Sequence, residues 1–228
     1  MIVIVAIDGP AGAGKSSVSR QLANRLGFQF LDTGAMYRAV ALLAIRKGYG
    51  QQNAVEIADL ARHMQLRFIS DRVILDGADI TAQIRTSEVA SNVYLAADNP
   101  EVRACLVDKQ REIASLTDTV TEGRDQGTVA FPHAECKIYL TATPEERARR
   151  RHLELTQRGE HFSLEEVLRQ NQDRDHRDMT RPVGRLIKAN DAIEFYTDGL
   201  TSDEVVAKLE AIVLSRQAEL SAAVKPAT

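Results

Sequence analysis

Gly9-Pro10-Ala11-Gly12-Ala13-Gly14-Lys15-Ser16 sets glycines, a lysine and a hydroxyl at the spacing G-x-x-x-x-G-K-[ST], between an apolar run and the head of a helical pattern. Glycines there let successive backbone N–H groups close around phosphate oxygens, and a helix starting at Lys15 adds a favourable field for an anion. In such a loop Lys15 reaches the β- and γ-phosphates, the Ser16 hydroxyl takes Mg²⁺, and Ser17 belongs to the same binding stretch. A dinucleotide site is not expected, because no G-x-G-x-x-G follows a strand with an acid about 20 residues on. The run Val73-Ile74-Leu75-Asp76 imitates a metal-binding strand end, but Asp76-Gly77 reads better as the turn that closes a hairpin. No other strand-end acid stands out as a metal ligand.

The second chemical signal is arginine. Arg147, Arg149, Arg150, Arg151 and Arg158 lie in and just after one helical stretch, and Arg169, Arg174, Arg177, Arg181 and Arg185 follow in the next. Phosphoryl transfer spreads negative charge over oxygens that guanidinium forks match bidentately. The competing reading is a solvated face balanced by Glu145, Glu146, Asp173, Asp175 and Asp178. Asp178 can pair with Arg174 or Arg181 on the next helical turn, which would orient the arginines and is compatible with a contact to a ligand hydroxyl.

Composition narrows the setting. The chain has 228 residues, 44% hydrophobic and 27% charged, enough for one self-sufficient core with an inserted subdomain. A formal charge of -3 argues against retention on nucleic acid or an anionic membrane by bulk charge. Cys105 and Cys136 stand without CxxC or zinc spacing, so they read as buried thiols of a reduced, cytoplasmic protein. The apolar run Met1 to Ile7 is too short to span a bilayer and reads as a strand.

The elements that must position these residues alternate. A strand over Ile2 to Ile7, a helix over Lys15 to Leu26 ending at Gly27, a strand over Phe28 to Leu31 and a helix from Gly34 to Lys47 favour a parallel sheet flanked by helices. The rhythm breaks from Gly48 to about Asn99, where a capping-box helix (Asn53, Glu56) and strands around Leu66 to Ser70 and Arg72 to Leu75 suggest an insertion. Asn99-Pro100 opens a helix to about Leu116. Strands resume at Thr119 to Glu122, Lys137 to Thr141 and Ala192 to Tyr196, giving five core strands. Capping boxes at Thr143 to Glu146 and Ser163 to Glu166 start two helices, Thr201 starts a closing helix, and 220–228 reads as frayed.

Four motifs in this order, GPAGAGKS, Leu31 to Arg38 (LDTGAMYR), Glu122 to Thr128 (EGRDQGT) and Arg174 to Arg181 (RDHRDMTR), make the chain resemble the bacterial cytidylate kinases along nearly its whole length. The resemblance implies an α/β, three-layer P-loop kinase fold with a five-stranded parallel sheet. It also implies a core of 1–47, 100–142 and 186–216, an inserted monophosphate-binding subdomain over 48–99 and a helical lid over 143–185. The implied reaction is transfer of the ATP γ-phosphoryl group to CMP or dCMP with Mg²⁺; the residues themselves, with reduced cysteines, a charge of -3 and no heptad, point to a cytoplasmic monomer with no nucleic-acid or membrane partner. Position by position, Arg38, Arg124 and Arg181 match arginines holding the acceptor phosphate. Asp125 and Arg103 match residues facing cytosine, Arg174 and Asp178 match contacts to the sugar and its surroundings, and Tyr37 matches a tyrosine lining the acceptor pocket. Thr33 keeps the hydroxyl of a family serine. Lys15, Arg124, Arg181 and Arg150 form the expected catalytic set. One departure is Tyr94, which falls where the family commonly has a small hydroxyl if the helix from Thr86 aligns without a gap; Ser91 or Asn92 are the substitutes.

Cytosine offers an amino donor at N4 and acceptors at N3 and O2, so a carboxylate with a guanidinium pairs with it, while uracil sets like groups against each other. A loop ion pair between Arg124 and Asp125 is the simpler alternative. Two rival functions stand beside the leading one: a kinase for another small acceptor, and a regulatory NTPase that transfers to water. The latter expects a guanine-reading Asn-Lys-x-Asp or a clear strand-end metal acid.

Overall fold

The computed structural model describes residues 2–69 and 71–224. In chain order the elements are β1 (Ile4–Asp8), α1 (Lys15–Leu26), β2 (Gln29–Asp32), α2 (Thr33–Arg46), α3 (Ala54–His63), β3 (Leu66–Ile69), β4 (Arg72–Leu75) and β5 (Ala78–Asp79). There follow α4 (Ser87–Asn92), α5 (Tyr94–Ala97), α6 (Pro100–Ala114), β6 (Thr119–Gly123), β7 (Cys136–Thr141), α7 (Pro144–Gln157), α8 (Leu164–Thr180), β8 (Ile193–Tyr196) and α9 (Ser202–Val224). They pack as two compact units: residues 1–31, 114–181 and 185–228, and residues 32–113 with 182–184.

The first unit is built on the sheet β2-β6-β1-β7-β8, with β1 parallel to β6 and β7, and β7 parallel to β8. β1 is apolar and β-branched because it is central and covered on both faces. Val5, Ile7, Val120, Ile138 and Leu140 of the sheet close a core with Val18 and Leu22 of α1 and Val206, Leu209 and Val213 of α9. α1 ends where expected: Gly27, at φ 70°, donates its N–H to Asn24, and Phe28 N–H reaches the Ala23 carbonyl at 2.9 Å. The register Ile7↔Glu122 and Asp8↔Gly123 brings the ends of β1 and β6 side by side, where open α/β sheets bind ligands.

The second unit packs α2 against α3, α4 and α5. α6 is tied to α3 by the Cys105 thiol on the Ala61 carbonyl and by Lys109 Nζ on the Met64 carbonyl at 3.1 Å. Because α2 and α6 pack this way, the unit spans more chain than the 48–99 insertion alone. Its small sheet has order β3-β4-β5.

Several local expectations are corrected here. Asp76 and Gly77, both at positive φ, turn β4 into β5 and so close a second hairpin rather than the β3–β4 one. The Asp76 carboxylate accepts the Gln65 N–H at 2.9 Å, a contact that belongs to the turn. Asn53 does not form a capping box with Glu56; its Oδ1 accepts the Gly50 N–H at 3.2 Å, closing a 3₁₀ turn before α3. Thr143 caps α7, but Glu146 does not return the bond: the Thr143 N–H goes to Asp198 and Glu146 holds arginines instead. The Ser163–Glu166 capping box is complete. Cys136 is buried as expected, whereas Cys105 is half-buried. α9 remains helical to Val224, so fraying does not begin at 220, and positions 225–228, like Met1 and Ser70, lie outside the described residues.

Candidate active site

The phosphate loop leaves β1 at Asp8. A Cβ on Gly9 would fall 1.9 Å from the Leu140 carbonyl oxygen of β7, so only glycine passes there. Gly12 and Gly14 carry φ of 75° and 86°, which turn the backbone toward the start of α1. Lys15 is buried, and its Nζ donates to the Pro10 carbonyl at 2.7 Å, folding the side chain back over its own loop. Burial, followed by the Arg124 charge, pushes the ammonium down to about 7, against Glu122 and Asp178, which support it. Ser17 Oγ donates to the Gly14 carbonyl at 2.9 Å.

Ser16 Oγ donates to Glu122 Oε1 at 2.9 Å. Glu122 stands at the end of β6, so the chain does carry a strand-end acid beside the loop, contrary to the sequence-based expectation that none stands out. A hydroxyl and a carboxylate at the mouth of a phosphate loop are the hard-oxygen set that Mg²⁺ takes, and they fit that ion. Such an acid no longer separates a kinase from a regulatory NTPase; the family match below does.

Asp8 is a further residue that the sequence reading passed over. Its two carboxylate oxygens accept the Gln126 N–H at 2.8 Å and the Gly127 N–H at 2.7 Å, fastening the loop after β6 to the strand before the phosphate loop. Burial raises its carboxyl to about 6, with the neighbouring Asp125 adding to the rise. Asp125 itself is buried, and its carbonyl starts a single π-turn over Gln126–Ala130 by accepting from Val129 and Ala130.

The arginines separate by partner. Arg124 Nε donates to Asp178 Oδ2 at 2.6 Å, and Arg181 Nη1 lies 3.5 Å from Asp178 Oδ1. Burial works against the Asp178 charge, but Arg124, Arg174 and Arg181 together hold it below the usual carboxylate range. Asp178 therefore does what an ion pair there was expected to do: it orients arginines. Arg124 reaches Asp178 and, through Nη1, the Gly123 carbonyl at 3.3 Å. Arg150 is committed elsewhere, to Glu146 Oε1 and to Thr197 Oγ1 and carbonyl at 2.8, 2.8 and 2.9 Å, with Gly14 close to its Nη1. Arg149 and Arg151 form exposed pairs with Glu146 and Glu154, the bland reading of the charge run. Arg147, in contrast, is buried against the loop, on the Ala11 carbonyl and Asp175.

The second unit holds the other expected acceptor residues. Asp32 caps α2 by accepting the Ala35 N–H at 2.8 Å, which starts the helix carrying Thr33, Tyr37 and Arg38. Thr33 is buried at its first position. Arg38 Nη2 pairs with Asp32, and its buried Nε has no hydrogen-bond partner among the described residues, leaving a donor for an anion. Arg103 is buried, with its guanidinium 5.2 Å from the Tyr37 ring centre and Nη1 on the Ala97 carbonyl at 3.2 Å. A Cβ on Gly184 would collide with that guanidinium, so a glycine at φ 60° closes over it. The helix from Thr86 is not continuous: α4 stops at Asn92, and Tyr94 begins the short α5, half-buried. Asn92 Nδ2 donates to the Glu88 carbonyl of its own helix at 2.9 Å, and Ser91 is exposed.

The family model for cytidylate kinase matches residues 5–215. A cytidylate kinase of Rhodopirellula baltica is 51% identical over 203 residues, 89% of each chain. One of Desulfitobacterium hafniense is 47% identical over 208 residues, 90% of each chain. Among solved structures, a gluconokinase from Sinorhizobium meliloti aligns over 98% of both chains with a TM-score of 0.52 and 14% identity, a likeness of fold alone. A match of that length and identity, over a chain whose loop and arginines suit phosphoryl transfer, permits one conclusion: the chain belongs to the cytidylate kinase family.

Proposed function

We propose that this chain transfers the γ-phosphoryl group of ATP to CMP and dCMP, releasing ADP with CDP or dCDP. The observation that carries the reading is Asp178, which gathers Arg124, Arg174 and Arg181 in the same compact unit as the phosphate loop and Lys15.

Transfer between two anions needs positioning and charge compensation more than proton removal, because the attacking phosphate is already largely ionised at neutral pH. The loop N–H groups cradle the donor, and Lys15 exchanges the Pro10 carbonyl for a phosphate oxygen. That exchange restores its charge, since a phosphate opposes the desolvation that lowers it. Ser16 and Glu122 would hold Mg²⁺, which neutralises charge across the β- and γ-phosphates when bound. Arg124 and Arg181 in the first unit, and Arg38 in the second, are assigned to the acceptor phosphate, Arg174 and Asp178 to the sugar and its surroundings, and Arg150 stands as a fixed cation beside Gly14. Asp125 of the first unit and Arg103 of the second are each assigned to the base. Thr33, Tyr37 and Tyr94 line the acceptor side.

The division into core, 48–99 insertion and 143–185 lid enters here as part of the proposal. The α7–α8 hairpin has a small core of its own, Ala148, Leu155 and Val167, and turns through Gly159 at φ 78°, as a closing element needs. Closure predicts reduced protease sensitivity near Arg158 when both substrates are present. Two free cysteines suit a reducing cytoplasm, and we assign the working form as a monomer. Among the described residues no helix is long and apolar enough to cross a membrane.

The deciding experiment is ADP release from ATP and Mg²⁺ with CMP, dCMP, UMP, AMP, GMP or dTMP, beside a control without acceptor. Turnover with CMP and dCMP alone is expected. Turnover without acceptor favours the NTPase reading, and turnover with another monophosphate moves the specificity away from Asp125 and Arg103.

A further inference from the structure

Ala11 lies between the first glycines of the phosphate loop, and both of its backbone polar groups are taken by side chains of the α7–α8 hairpin. Its N–H donates to Asp175 Oδ1 at 3.0 Å, and its carbonyl accepts from Arg147 Nη1 at 2.9 Å. The same Nη1 donates to Asp175 Oδ2 at 2.5 Å, and Arg147 Nε donates to the Ala142 carbonyl at 3.1 Å. A Cβ on Gly12 would meet the Arg147 backbone and Cβ at 3.0 and 3.2 Å, so the loop and the head of α7 are also packed together. Arg147 and Asp175 are 6% and 8% exposed, a buried pair with its polar atoms directed at one peptide unit. Neither residue belongs to the donor, metal or acceptor set above.

Asp175 lies three residues before Asp178 on α8, so the two carboxylates share one face across a single turn. One turn thus grips the donor loop, and the next grips Arg124 and Arg181. Arg124 responds to both acids: burial opposes its charge, and Asp178 first and Asp175 later among its supports raise it.

We propose that Asp175, braced by Arg147, is a positioning residue that couples the donor site to the acceptor site: a shift of α8 that seats the acceptor phosphate on the arginines also resets the Ala11 peptide, and the reverse. The proposal rests on the kinase reading above. Coupling of this kind is reciprocal, so each ligand changes the other's affinity by the same factor. Arg147 and Asp175 touch neither ligand in this scheme; they act through the Ala11 peptide and α8.

The test uses the full chain, with β,γ-methylene-ATP and Mg²⁺ as donor probe and calorimetry of CMP binding. In the unmodified enzyme saturating probe should tighten CMP by about threefold or more, and CMP alone should slow exchange of the Ala11 amide proton, followed by NMR, by about as much. Asp175→Asn should bring the affinity ratio to about one, while CMP affinity without probe stays within about twofold, because the Arg124–Asp178 and Arg181–Asp178 pairs remain and Asp175 acts on Arg124 more weakly than Asp178 does. A purely structural Asp175 would lower stability and weaken both ligands yet keep the ratio, and that result overturns the proposal. So does an unmodified enzyme with no ratio and no change at Ala11. If Asp175→Asn does not fold, Arg147→Lys keeps a cation beside Asp175 without the fork that reaches Ala11 and Ala142; it should reduce the ratio, and an unaltered ratio overturns the idea. CMP turnover is followed in parallel: its absence in the unmodified enzyme rejects the kinase reading, whereas turnover with an unaltered ratio in the variants rejects only the coupling.

Discussion

Glu146 on α7 and Asp178 on α8 each pair with two arginines, at 2.8 and 2.8 Å and at 2.6 and 3.5 Å, and charge pattern alone does not rank them. Their surroundings do. The Glu146 partner Arg149 has a 58% exposed side chain, while Arg124 and Arg181 around Asp178 are 16% and 5% exposed. An exposed pair contributes about 0.2–1 kcal/mol and is screened by salt. In the buried cluster the charges are little screened, and removing one partner leaves others uncompensated. Arg124 and Arg181 share the Asp178 carboxylate in a buried setting, which suits the proposed anion site, whereas Arg149 on Glu146 stays at the surface and Arg150 is held against Thr197.

The largest effect expected is for Lys15→Ala, which removes the cation adjoining the Asp178 cluster. It should lower kcat by roughly 10²–10³-fold with little change in CMP affinity, since it removes an interaction strengthened in the transition state. Steady-state kinetics beside CMP titration checks this, and unaltered kcat would break the donor-loop reading.

Asp178→Ala tests the cluster itself. Loss of a largely buried partner should cost about 3 kcal/mol in denaturant unfolding and roughly 10²-fold in kcat/KM for CMP. An effect no larger than that of an exposed pair would erase the distinction drawn between the two acids.

Asp125→Asn asks whether base reading lies beside that cluster. The CMP to UMP ratio of kcat/KM should fall by about tenfold, the cost of one mispaired polar contact. An intact ratio would place base reading elsewhere.

Proton linkage sharpens the comparison further. Burial and Arg124 lower the Lys15 ammonium to about 7, so near pH 8 the free enzyme holds this group mostly neutral. A bound polyphosphate raises it again, so MgATP binding near pH 8 should take up close to one proton, about 0.9, and progressively less as pH falls below 7. Calorimetry in buffers of different ionisation enthalpy measures the uptake, and Lys15→Ala should abolish it. For stability the sign follows: between 7 and the ordinary lysine range the unfolded chain binds this proton and the folded one does not, so this group's contribution to folding becomes more favourable as pH rises.

The smallest effect belongs to Arg149→Ala, which removes half of the exposed pair. Stability should move by about 0.5 kcal/mol or less and kcat by less than twofold. A larger loss would mean that Glu146, through Arg150, matters to catalysis after all.

Much of the frame was legible in advance because it depends on local chemistry. The β-branched run of β1, the glycine spacing before Lys15, Gly27 after Leu26 and the Ser163–Glu166 box each dictate their structure within a few residues. Errors arose where two local readings were equally good. Asp76-Gly77 is a fine turn for either of two successive hairpins, and Asn53 could serve the helix after it or the turn before it. The break at Val93 left no glycine or proline to mark it.

Glu122 and Asp8 were visible as residues but not as neighbours. Nothing within either segment states that β6 lies beside β1 rather than beyond β2, and only that order brings Ser16 to Glu122 and Asp8 to Gly127.

The sequence alone determined the phosphate loop, the alternating strands and helices and the membership in a nucleotide kinase family, since each is written in contiguous residues or in motifs of fixed order. Tertiary structure alone decided which arginines are buried around Asp178, which acid stands beside Ser16, and that Arg147 and Asp175 grip Ala11. The reason is physical: a charge acquires its strength from burial and from partners more than a hundred residues away, and both come into being only when the chain has folded.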